Sequence, residues 1–342
     1  MKESLQTLCE LFIEYRGTIK SVFKMDSEYL YPACADIFLA MGRAPEEELL
    51  SDCRRMVKNS VGIFSDFRGN VLMPLVCMLA ASDDPQTKWE RTQDNFAVLK
   101  EEFWSSGYLA LAALLLTDTT QSEQVPKTAA RAKAIYRRMK QEHPFLTGQE
   151  DSVFAVMLAR SVRSDGQLIA DMEECYRLLD ARFPKSDGLQ SASHLFALTD
   201  RAPKEKVERM LALYDAVSER CGKYGKYYEL STLAALSLEQ APVEELADDV
   251  ADVDAFLAEQ KGYRSIFGLD RKTRTMHAAL LAATNRSAAA MRDMRNAPPE
   301  TDLAMAAAQQ TALAMLAAQQ AAMCAMIAAS SASSAAAAGS SH

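Results

Sequence analysis

Two kinds of apolar pattern alternate along most of the chain. In the first kind, apolar residues recur every three or four positions between charged ones, as do Met172, Cys175 and Leu179. This spacing predicts an amphipathic helix with one buried face and one solvated face. The second kind, as in YLALAALLL and VFAVMLA, is apolar at nearly every position and predicts a helix buried on most sides. We call the amphipathic helices B helices and the apolar ones A helices.

Short segments separate the two kinds of helix. Each A helix is followed by a polar turn such as SDDP or TDRAP, which combines helix-capping residues with proline. Each B helix is followed by a loop rich in aromatic residues and glycine, such as FSDFRGN or CGKYGKYYE. The whole unit recurs roughly every 40 residues, a period typical of helical repeat proteins. The pattern predicts an all-α fold, a stack of about six helical hairpins that forms an α/α superhelix, either an open solenoid or a closed toroid.

The end of the chain has a different composition. From Leu303 to Ser341 there is no charged side chain, and Ala, Gln, Met and Ser predominate. We therefore divide the chain into a helical-repeat domain at 1–302 and a tail at 303–342. Met305, Leu316 and Ile327 keep to one helical face, so the tail is expected to be helical to about residue 329 and disordered beyond.

Three interpretations of the tail remain open. It is a helix that packs on this chain or on a second copy, a largely disordered segment, or a membrane-spanning segment. Four glutamines and the lack of flanking basic residues disfavour the third interpretation. We favour a tail that docks onto the apolar A helices, within one chain or between two.

Composition narrows the class of protein. The 342 residues are 49% hydrophobic and carry a net charge of −8, which disfavours a nucleic-acid binder because phosphate binding needs clustered Lys and Arg. Seven dispersed cysteines suit buried thiols in a reducing compartment better than a disulfide framework. Glu3, Glu10 and Glu14 interrupt the first apolar segment, so we predict no signal peptide and expect a cytoplasmic protein.

Few residues have the spacing of a catalytic or metal site. The four histidines, His143, His194, His277 and His342, are isolated, so the zinc-ligand clusters of metalloenzymes are not predicted. We interpret His194 and His277 as hydrogen-bonded core residues, with a paired role across the stack as the alternative. No nucleotide-binding or hydrolase motif occurs, and we expect no cofactor.

The segment DDVAD is the one short motif with metal-binding spacing. It has the DDxxD form with which all-α prenyl-transferring enzymes bind magnesium and diphosphate, at Asp248, Asp249 and Asp252. The motif falls on the charged side of a B helix, and no second motif accompanies it. We therefore favour a solvated acidic face over a metal site.

The loops that follow the B helices are expected to emerge along one edge of the stack, where repeat proteins often bind ligands. Their aromatic, acidic and basic residues form the candidate binding surface, with the alternative that they cap helices and seal adjacent units. The candidate residues are Asp66, Arg68, Asn70, Trp104, Tyr108, Glu150, Asp151, Gln190, His194, Lys226, Tyr228, Glu229, Arg271 and Arg274.

Several longer segments resemble the sequences of an uncharacterised bacterial family. The segments are FSDFRGN, LKEEFWSSGYLALAALLL, IYRRMKQEHPFLTGQED, GLQSASHLFAL, GKYGKYYEL and AQQAAMCAMIAASSASS. They resemble the family known as domain of unknown function DUF4003, over roughly residues 20–335. The resemblance implies a bacterial, cytoplasmic protein whose tail belongs to its design, and it assigns no activity or residue role.

Two functions from different classes follow. The first is a non-catalytic helical-repeat scaffold that binds a protein or peptide partner, its own tail or a second copy. The alternative is an α/α-barrel enzyme or small-molecule binder with its site at the loop edge. A membrane-anchored protein is a weaker third hypothesis, and no nucleic-acid partner is expected.

Overall fold

The computed structural model describes residues 1–24, 26–264 and 269–296, together with residues 323, 324, 326, 327 and 330; side chains of the last long helix are described to residue 288. Within these residues every regular element is helical and no strand occurs, so the predicted all-α class is confirmed. The helices are α1 (Glu3–Val22), α2 (Leu30–Met41), α3 (Glu47–Ser60), α4 (Leu72–Ala80), α5 (Pro85–Glu102), α6 (Gly107–Thr119), α7 (Val125–Glu142), α8 (Asp151–Ala159), α9 (Asp165–Asp180), α10 (Asp187–Ala197), α11 (Pro203–Cys221), α12 (Leu230–Ser237), α13 (Val243–Ala258) and α14 (Arg271–Asn296). Short 3₁₀ turns at Gly69–Val71 and Ser122–Gln124 precede α4 and α7.

The chain divides into two compact units. Unit 1 comprises Met1–Ile13 and Gly166–Ala325, and unit 2 comprises Glu14–Asp165 and Met326–His342. In unit 2, α2 packs on α4, α6 on α8, and α5 on α7; in unit 1, α10 and α14 pack on α12, and α11 packs on α13. Even-numbered helices therefore contact even-numbered ones and odd-numbered helices contact odd-numbered ones. Each unit thus has an A layer and a B layer.

Burial differs between the two layers in the way that the apolar patterns predict. All nine residues of α4 and all nine of α8 are buried. In contrast, α3 buries only Leu50, Cys53 and Val57, which share one face at spacings of three and four. The A helices thus form the hydrophobic core, and the B helices cover it with their apolar faces.

Some aromatic residues in the loops after the B helices pack against the next B helix. The ring of Phe67 lies 4.9 Å from that of Trp89 and 4.6 Å from that of Phe96, both on the next B helix. In unit 1, the Phe183 ring lies 4.9 Å from the Tyr214 ring. Such pairs contribute about 0.5–1.5 kcal/mol each beyond the area that they bury. Phe67 and Phe183 therefore pack their loops against the next B helix.

One loop glycine is required by a close backbone approach. Gly188, in the first turn of α10, lies against the loop that precedes α12. A Cβ atom at this position would lie 1.9 Å from the carbonyl oxygen of Tyr227. No side chain fits there without a shift of the backbone, which explains glycine at this point of the loop-to-helix junction.

A basic clasp, made of one Lys and one Arg near the start of a B helix, holds the carboxyl ends of A helices in unit 1. On α11, Lys206 Nζ donates to the carbonyl oxygens of Phe196 (2.7 Å) and Thr199 (3.1 Å), at the end of α10. One turn later, Arg209 Nε donates to the carbonyl oxygen of Ser237 (2.7 Å), the last residue of α12. The last carbonyl groups of a helix have no partner within it, and cations are favourable there. The clasp therefore fixes the ends of two successive A helices.

The same clasp recurs in unit 2. On α5, Lys88 Nζ donates to the carbonyl oxygen of Met78 (3.1 Å) in α4, and Arg91 Nη2 donates to that of Thr120 (3.4 Å) after α6. The two B helices begin with PQTKWER at 85–91 and PKEKVER at 203–209, so proline, lysine and arginine occupy the same three positions. This shared P-x-x-K-x-E-R segment is a similarity between the two helices that the hydrophobic pattern does not reveal.

Candidate functional site

Several candidate loop residues of unit 2 are engaged with backbone and side-chain groups at helix ends. Arg68 Nη2 donates to the carbonyl oxygens of Lys58 (2.6 Å) and Val61 (3.1 Å), at the end of α3. Asp66 accepts a hydrogen bond from the hydroxyl of Ser105 in the following loop. Both side chains thus act in the way that the capping and sealing interpretation describes.

The start of α8 has a similar arrangement. Asp151 is 2% exposed, and its Oδ2 accepts a hydrogen bond from the backbone N–H of Gly148 at 2.8 Å. The carboxylate of Glu150 lies so close over Gly148 that a Cβ there would be 2.6 Å from it. The two acidic residues are therefore gathered at one turn before α8.

Exposure varies among the other candidates of unit 2. Trp104 is 89% exposed, whereas Asn70 and Tyr108 are half-buried. Phe64 and Phe145, in other loops that follow B helices of unit 2, are also exposed, at 96% and 98%. Trp104 is therefore one of several large apolar groups of these loops that face water.

Two arginine candidates of unit 1 also hold helix ends or pair with acidic residues. Arg271 donates to the carbonyl oxygen of Cys221, the last residue of α11. Arg274 makes a two-pronged ion pair with Asp254 on α13, through contacts of 2.9 and 3.1 Å. Hydrogen bonding to Asp254 raises the pKa of Arg274 despite the opposing effect of burial. Both guanidinium groups are thus engaged by groups of the chain.

Hydrogen bonds of its own polar groups hold the loop before α12 in place. Glu229 is 3% exposed, and its Oε2 accepts from the backbone N–H of Tyr227 at 3.1 Å. The hydroxyl of Tyr228 lies 3.3 Å from that of Thr273 on α14. Lys226 is exposed and reaches into solvent. The loop is therefore held by buried polar contacts, and Lys226 is the one candidate residue of this loop that is exposed.

The histidine candidates of the A layer are core residues. Gln190 and His194, one turn apart on α10, are 1% and 2% exposed. His277 on α14 is fully buried, and its Nδ1 lies 2.8 Å from the hydroxyl of Tyr263. The His277 contact fits the interpretation of a hydrogen-bonded core histidine. His143 is half-buried, and His342 lies outside the described residues.

The DDVAD segment anchors the amino-terminal segment of the chain. Asp249 on α13 is buried and pairs with Lys2 at 3.0 Å and with Arg286. Glu245, one turn earlier, accepts from Lys2 at 2.6 Å and from Arg286 at 2.8 Å. The hydrogen bonds from these two cations, that of Lys2 first, lower the pKa of Glu245 to about 2. These acidic residues therefore bind protein cations.

The other two aspartates of the segment are also paired. Asp248 lies 2.7 Å from Nε of Arg220, and Asp252 lies 2.9 Å from the amino terminus. Across the residues that the structure describes, no group of three His, Cys, Asp or Glu side chains is arranged to hold a metal ion. The solvated-face interpretation of DDVAD thus holds for Asp248 and Asp252 but is wrong for Asp249, which is 3% exposed. The segment forms an ion-pair network.

The cysteines are buried thiols without disulfide partners. All seven are free and buried. Burial raises the pKa of Cys9 to about 12 and those of Cys53 and Cys221 to about 11. Since the thiolate is the reactive form, we expect these side chains to be protected from alkylation in the folded chain.

Five residues of the tail are described, and all five are helical and buried. Their exposed fractions are 2% for Met323, 5% for Cys324, 1% for Met326, 3% for Ile327 and 1% for Ser330. Four of them follow the spacing i, i+3, i+4 and i+7, which places them on one face of a helix. The remaining tail residues, including the stretch expected to be disordered, lie outside the described residues.

No helix in the described ranges is long and apolar enough to cross a membrane. The strongly apolar A helices are short, and α8 has nine residues. The longer α14 contains several charged residues. A span needs about 20 apolar residues.

Comparison with known proteins places the chain in a family. The family described as "Protein of unknown function (DUF4003)" matches residues 15–322, and the chain belongs to it. A curated relative is the "Uncharacterized protein YeaA" of Bacillus subtilis (strain 168), which is 23% identical over 250 residues; the match covers 71% of this chain and 74% of the relative. No solved structure matches the chain.

Proposed function

We propose that this member of the DUF4003 family is a non-catalytic helical-repeat scaffold whose A helices bind a helical peptide segment, and that its own tail is such a segment. The observation that carries the proposal is the burial of the five described tail residues to 5% exposure or less. Only one chain is present, so residues of that same chain cover them. A buried tail face argues for a docked helix rather than a solvated extension.

The burial of the A helices supports a partner on their free side. In unit 1, α12 packs beside α10 and α14 in the A layer and against α11 and α13 in the B layer. All eight residues of α12 are buried. We assign part of the cover of the A helices to a further segment of the chain. An uncharged helix of small residues suits an alanine-rich surface, because small side chains allow close approach.

The apolar face of the tail contributes enough free energy for docking. Full burial of a Met or Ile side chain contributes roughly 1.5–3 kcal/mol. Met323, Met326 and Ile327 together contribute about 5–9 kcal/mol before the entropy of ordering is subtracted. Loss of one of these side chains, or insertion of a charge among them, should therefore release the tail.

A thiol-accessibility experiment tests the proposal, because Cys324 is the one cysteine of the tail. The native full-length chain is treated with iodoacetamide, and each cysteine is quantified by mass spectrometry. We expect Cys324 to be as protected as the six core cysteines. Ile327→Asp should expose Cys324 and leave the other six protected, whereas Val162→Asp, at a fully exposed position, should change nothing.

Two results would contradict the proposal. The first is alkylation of Cys324 in the native chain at the rate seen in urea. The second is an Ile327→Asp chain in which Cys324 stays protected. A synthetic peptide of residues 303–330 added to the Ile327→Asp chain then tests binding between molecules. It should bind with a 1:1 stoichiometry and raise the melting temperature.

The alternative of an enzyme or small-molecule binder at the loop edge has less support, since Arg68, Arg271 and Arg274 hold helix ends or an ion pair. Seven free cysteines support a cytoplasmic location. The relative from Bacillus subtilis supports a bacterial origin. A second copy of this chain is the other partner that the tail would fit.

A further inference from the structure

A polar cleft of about 500 Å³ lies in unit 2, beside the turn that joins α6 to α7. Three of its nine lining residues are basic, namely Lys127, Arg131 and Arg160, and none is acidic. The other lining residues are mainly threonine and glutamine. This concentration of positive charge is unusual in a chain with 46 acidic and 38 basic residues.

Arg131 is fixed in place at the rim of the cleft. Its Nη1 donates to the carbonyl oxygens of Ala159 (2.9 Å) and Ser161 (2.7 Å), and its Nη2 to that of Arg163 (2.6 Å). Its Nε donates to Asp165 at 2.8 Å. The donors of this guanidinium are thus committed to the end of α8. Arg131 shapes the cleft and is not available to bind a ligand through several bonds.

Arg160 is different, because its charge is not compensated. The side chain is half-buried, and within the described residues its guanidinium has no hydrogen bond or ion pair. Burial is the one influence on its pKa, which is lowered, and no carboxylate opposes that change. A charge that is partly removed from water without a partner is unfavourable. An anion in the cleft would relieve this cost.

The amino-terminal end of α7 adds positive potential to the same cleft. The helix begins at Val125, directly after the 3₁₀ turn Ser122–Gln124. The backbone N–H of Val125 donates to the carbonyl oxygen of Ser122, and the next residue is a proline without an N–H, so the contribution of this helix end is its dipole. Lys127 and Thr128, in its first turn, line the cleft. The positive end of a helix dipole favours a phosphate or carboxylate. The hydroxyl oxygen of Thr120 is buried there with no hydrogen-bond partner among the described residues.

A second basic groove in unit 2 provides a comparison, because its arginine side chains have hydrogen-bond or ion-pair partners. It has a volume of about 370 Å³ and is lined by Arg54, Arg55 and Lys58, among others. Arg54 donates to the carbonyl oxygen of Val22 at 2.8 Å, and Arg55 pairs with Asp52 at 3.1 Å. Its two arginines therefore have partners, and this groove supplies the control positions.

We propose that the cleft beside α7 binds a small phosphate-bearing molecule, with the phosphoryl group held by Arg160, Lys127 and the amino-terminal end of α7. Phosphate matches these donors because it accepts several charge-assisted hydrogen bonds at once. The volume lies within the range of small-molecule pockets, roughly 300–1,000 Å³, and exceeds the need of a free phosphate ion. The ligand is therefore expected to be an organic phosphate, while inorganic phosphate offers the same chemistry with less contact.

Phosphorus NMR on the full-length chain provides the test. Inorganic phosphate and glycerol 3-phosphate are titrated separately, and the broadening of each phosphorus signal gives a dissociation constant. We expect saturable binding that Arg160→Met weakens at least tenfold and Lys127→Met weakens several-fold. Arg55→Met, in the second basic groove, should leave the dissociation constant unchanged. Tighter binding of glycerol 3-phosphate would identify an organic ligand, and equal binding would identify phosphate itself; both support the site.

Melting temperatures distinguish a loss of phosphate binding from a loss of folding. Because Arg160 has no partner in the unliganded chain, Arg160→Met should melt at the same temperature as the original chain or higher. It should also lose the increase in melting temperature that phosphate gives. The absence of saturable broadening at millimolar concentrations, or broadening that persists unchanged in Arg160→Met, would overturn the proposal. Protection of Cys324 does not depend on this cleft, so the two proposals fail separately.

Discussion

The basic clasp on α11 gives the sharpest test of how the A helices are held in register. Arg209 donates to the carbonyl oxygens of Ser237 at 2.7 Å and Glu239 at 2.6 Å, and also to that of Ala241. In Arg209→Met these three acceptors lose their donor, while helix propensity changes little because Met and Arg are similar in this respect. A hydrogen bond from a charged donor contributes about 1.5–3 kcal/mol.

The expected loss is smaller than the sum of three such bonds. The acceptors are part-buried at a helix end, so water replaces some of the lost bonds, and we take about 1 kcal/mol for each. The free energy of unfolding should then fall by about 3 kcal/mol. For a unit of this size, that loss lowers the melting temperature by roughly 6–12 °C.

The assay is thermal unfolding of the full chain, followed by circular dichroism at a helical wavelength and by calorimetry. Arg177→Met on α9 is the matched control, because Arg177 is 68% exposed and pairs only with Glu174 one turn away. That pair should contribute less than about 0.5 kcal/mol. Arg209→Lys should recover part of the loss. If Arg209→Met and Arg177→Met melt within about 2 °C of each other, the reasoning on the clasp is wrong.

Three further predictions concern glycine, pH and the tail. Gly188→Ala should destabilise the chain by several kcal/mol, because the new Cβ atom clashes with a neighbouring carbonyl group. Gly166→Ala, with nothing within 4 Å, should instead stabilise α9 by about 0.5–1 kcal/mol. Urea unfolding of both variants measures the opposite signs of the two changes in free energy. The hydrogen bond from Lys2 holds the pKa of Glu245 near 2, below its ordinary value in the unfolded chain, so its stabilising effect is complete above about pH 4.5 and is lost as the pH falls towards 2. The difference in melting temperature between the original chain and Glu245→Gln should shrink over that interval, and a constant difference would refute the assignment. A chain truncated after Asp302 should melt at a lower temperature than the full chain, as measured by calorimetry, and an unchanged melting temperature would argue against a docked tail.

The helices could be predicted from the sequence because their signal is local. The segment VFAVMLA is apolar throughout and so predicts the complete burial of α8. The spacing of Leu50, Cys53 and Val57 predicts the buried face of α3. Each helix needs only its own residues to fix its period and its apolar face. The tertiary arrangement adds partners, but it does not change which residues are apolar.

The contacts of the charged residues could not be predicted in the same way. Arg209 meets backbone carbonyl groups 28 and 30 positions away, and every residue has a carbonyl group, so no pattern marks the acceptors. Asp249 has the spacing of a metal ligand, yet its partners are Lys2, in the first segment of unit 1, and Arg286 on α14. The lack of an ion-pair partner for Arg160 depends on residues that are near it in space. The residues next to it in the sequence do not predict it. The clasp alone had a sequence signal, the shared P-x-x-K-x-E-R segment.

The anchoring of the amino-terminal segment has a consequence for biosynthesis. Lys2 and its partner Glu245 are separated by 243 positions, so this contact cannot form until most of the chain has left the ribosome. At translation rates of about 5–20 residues per second, the first helix waits on the order of 10–50 s for its acidic partners. Leu5, Cys9 and Phe12, on the same helix, are fully buried in the folded chain. A chaperone that binds nascent chains would find this helix without its ion pairs to α13 throughout that interval.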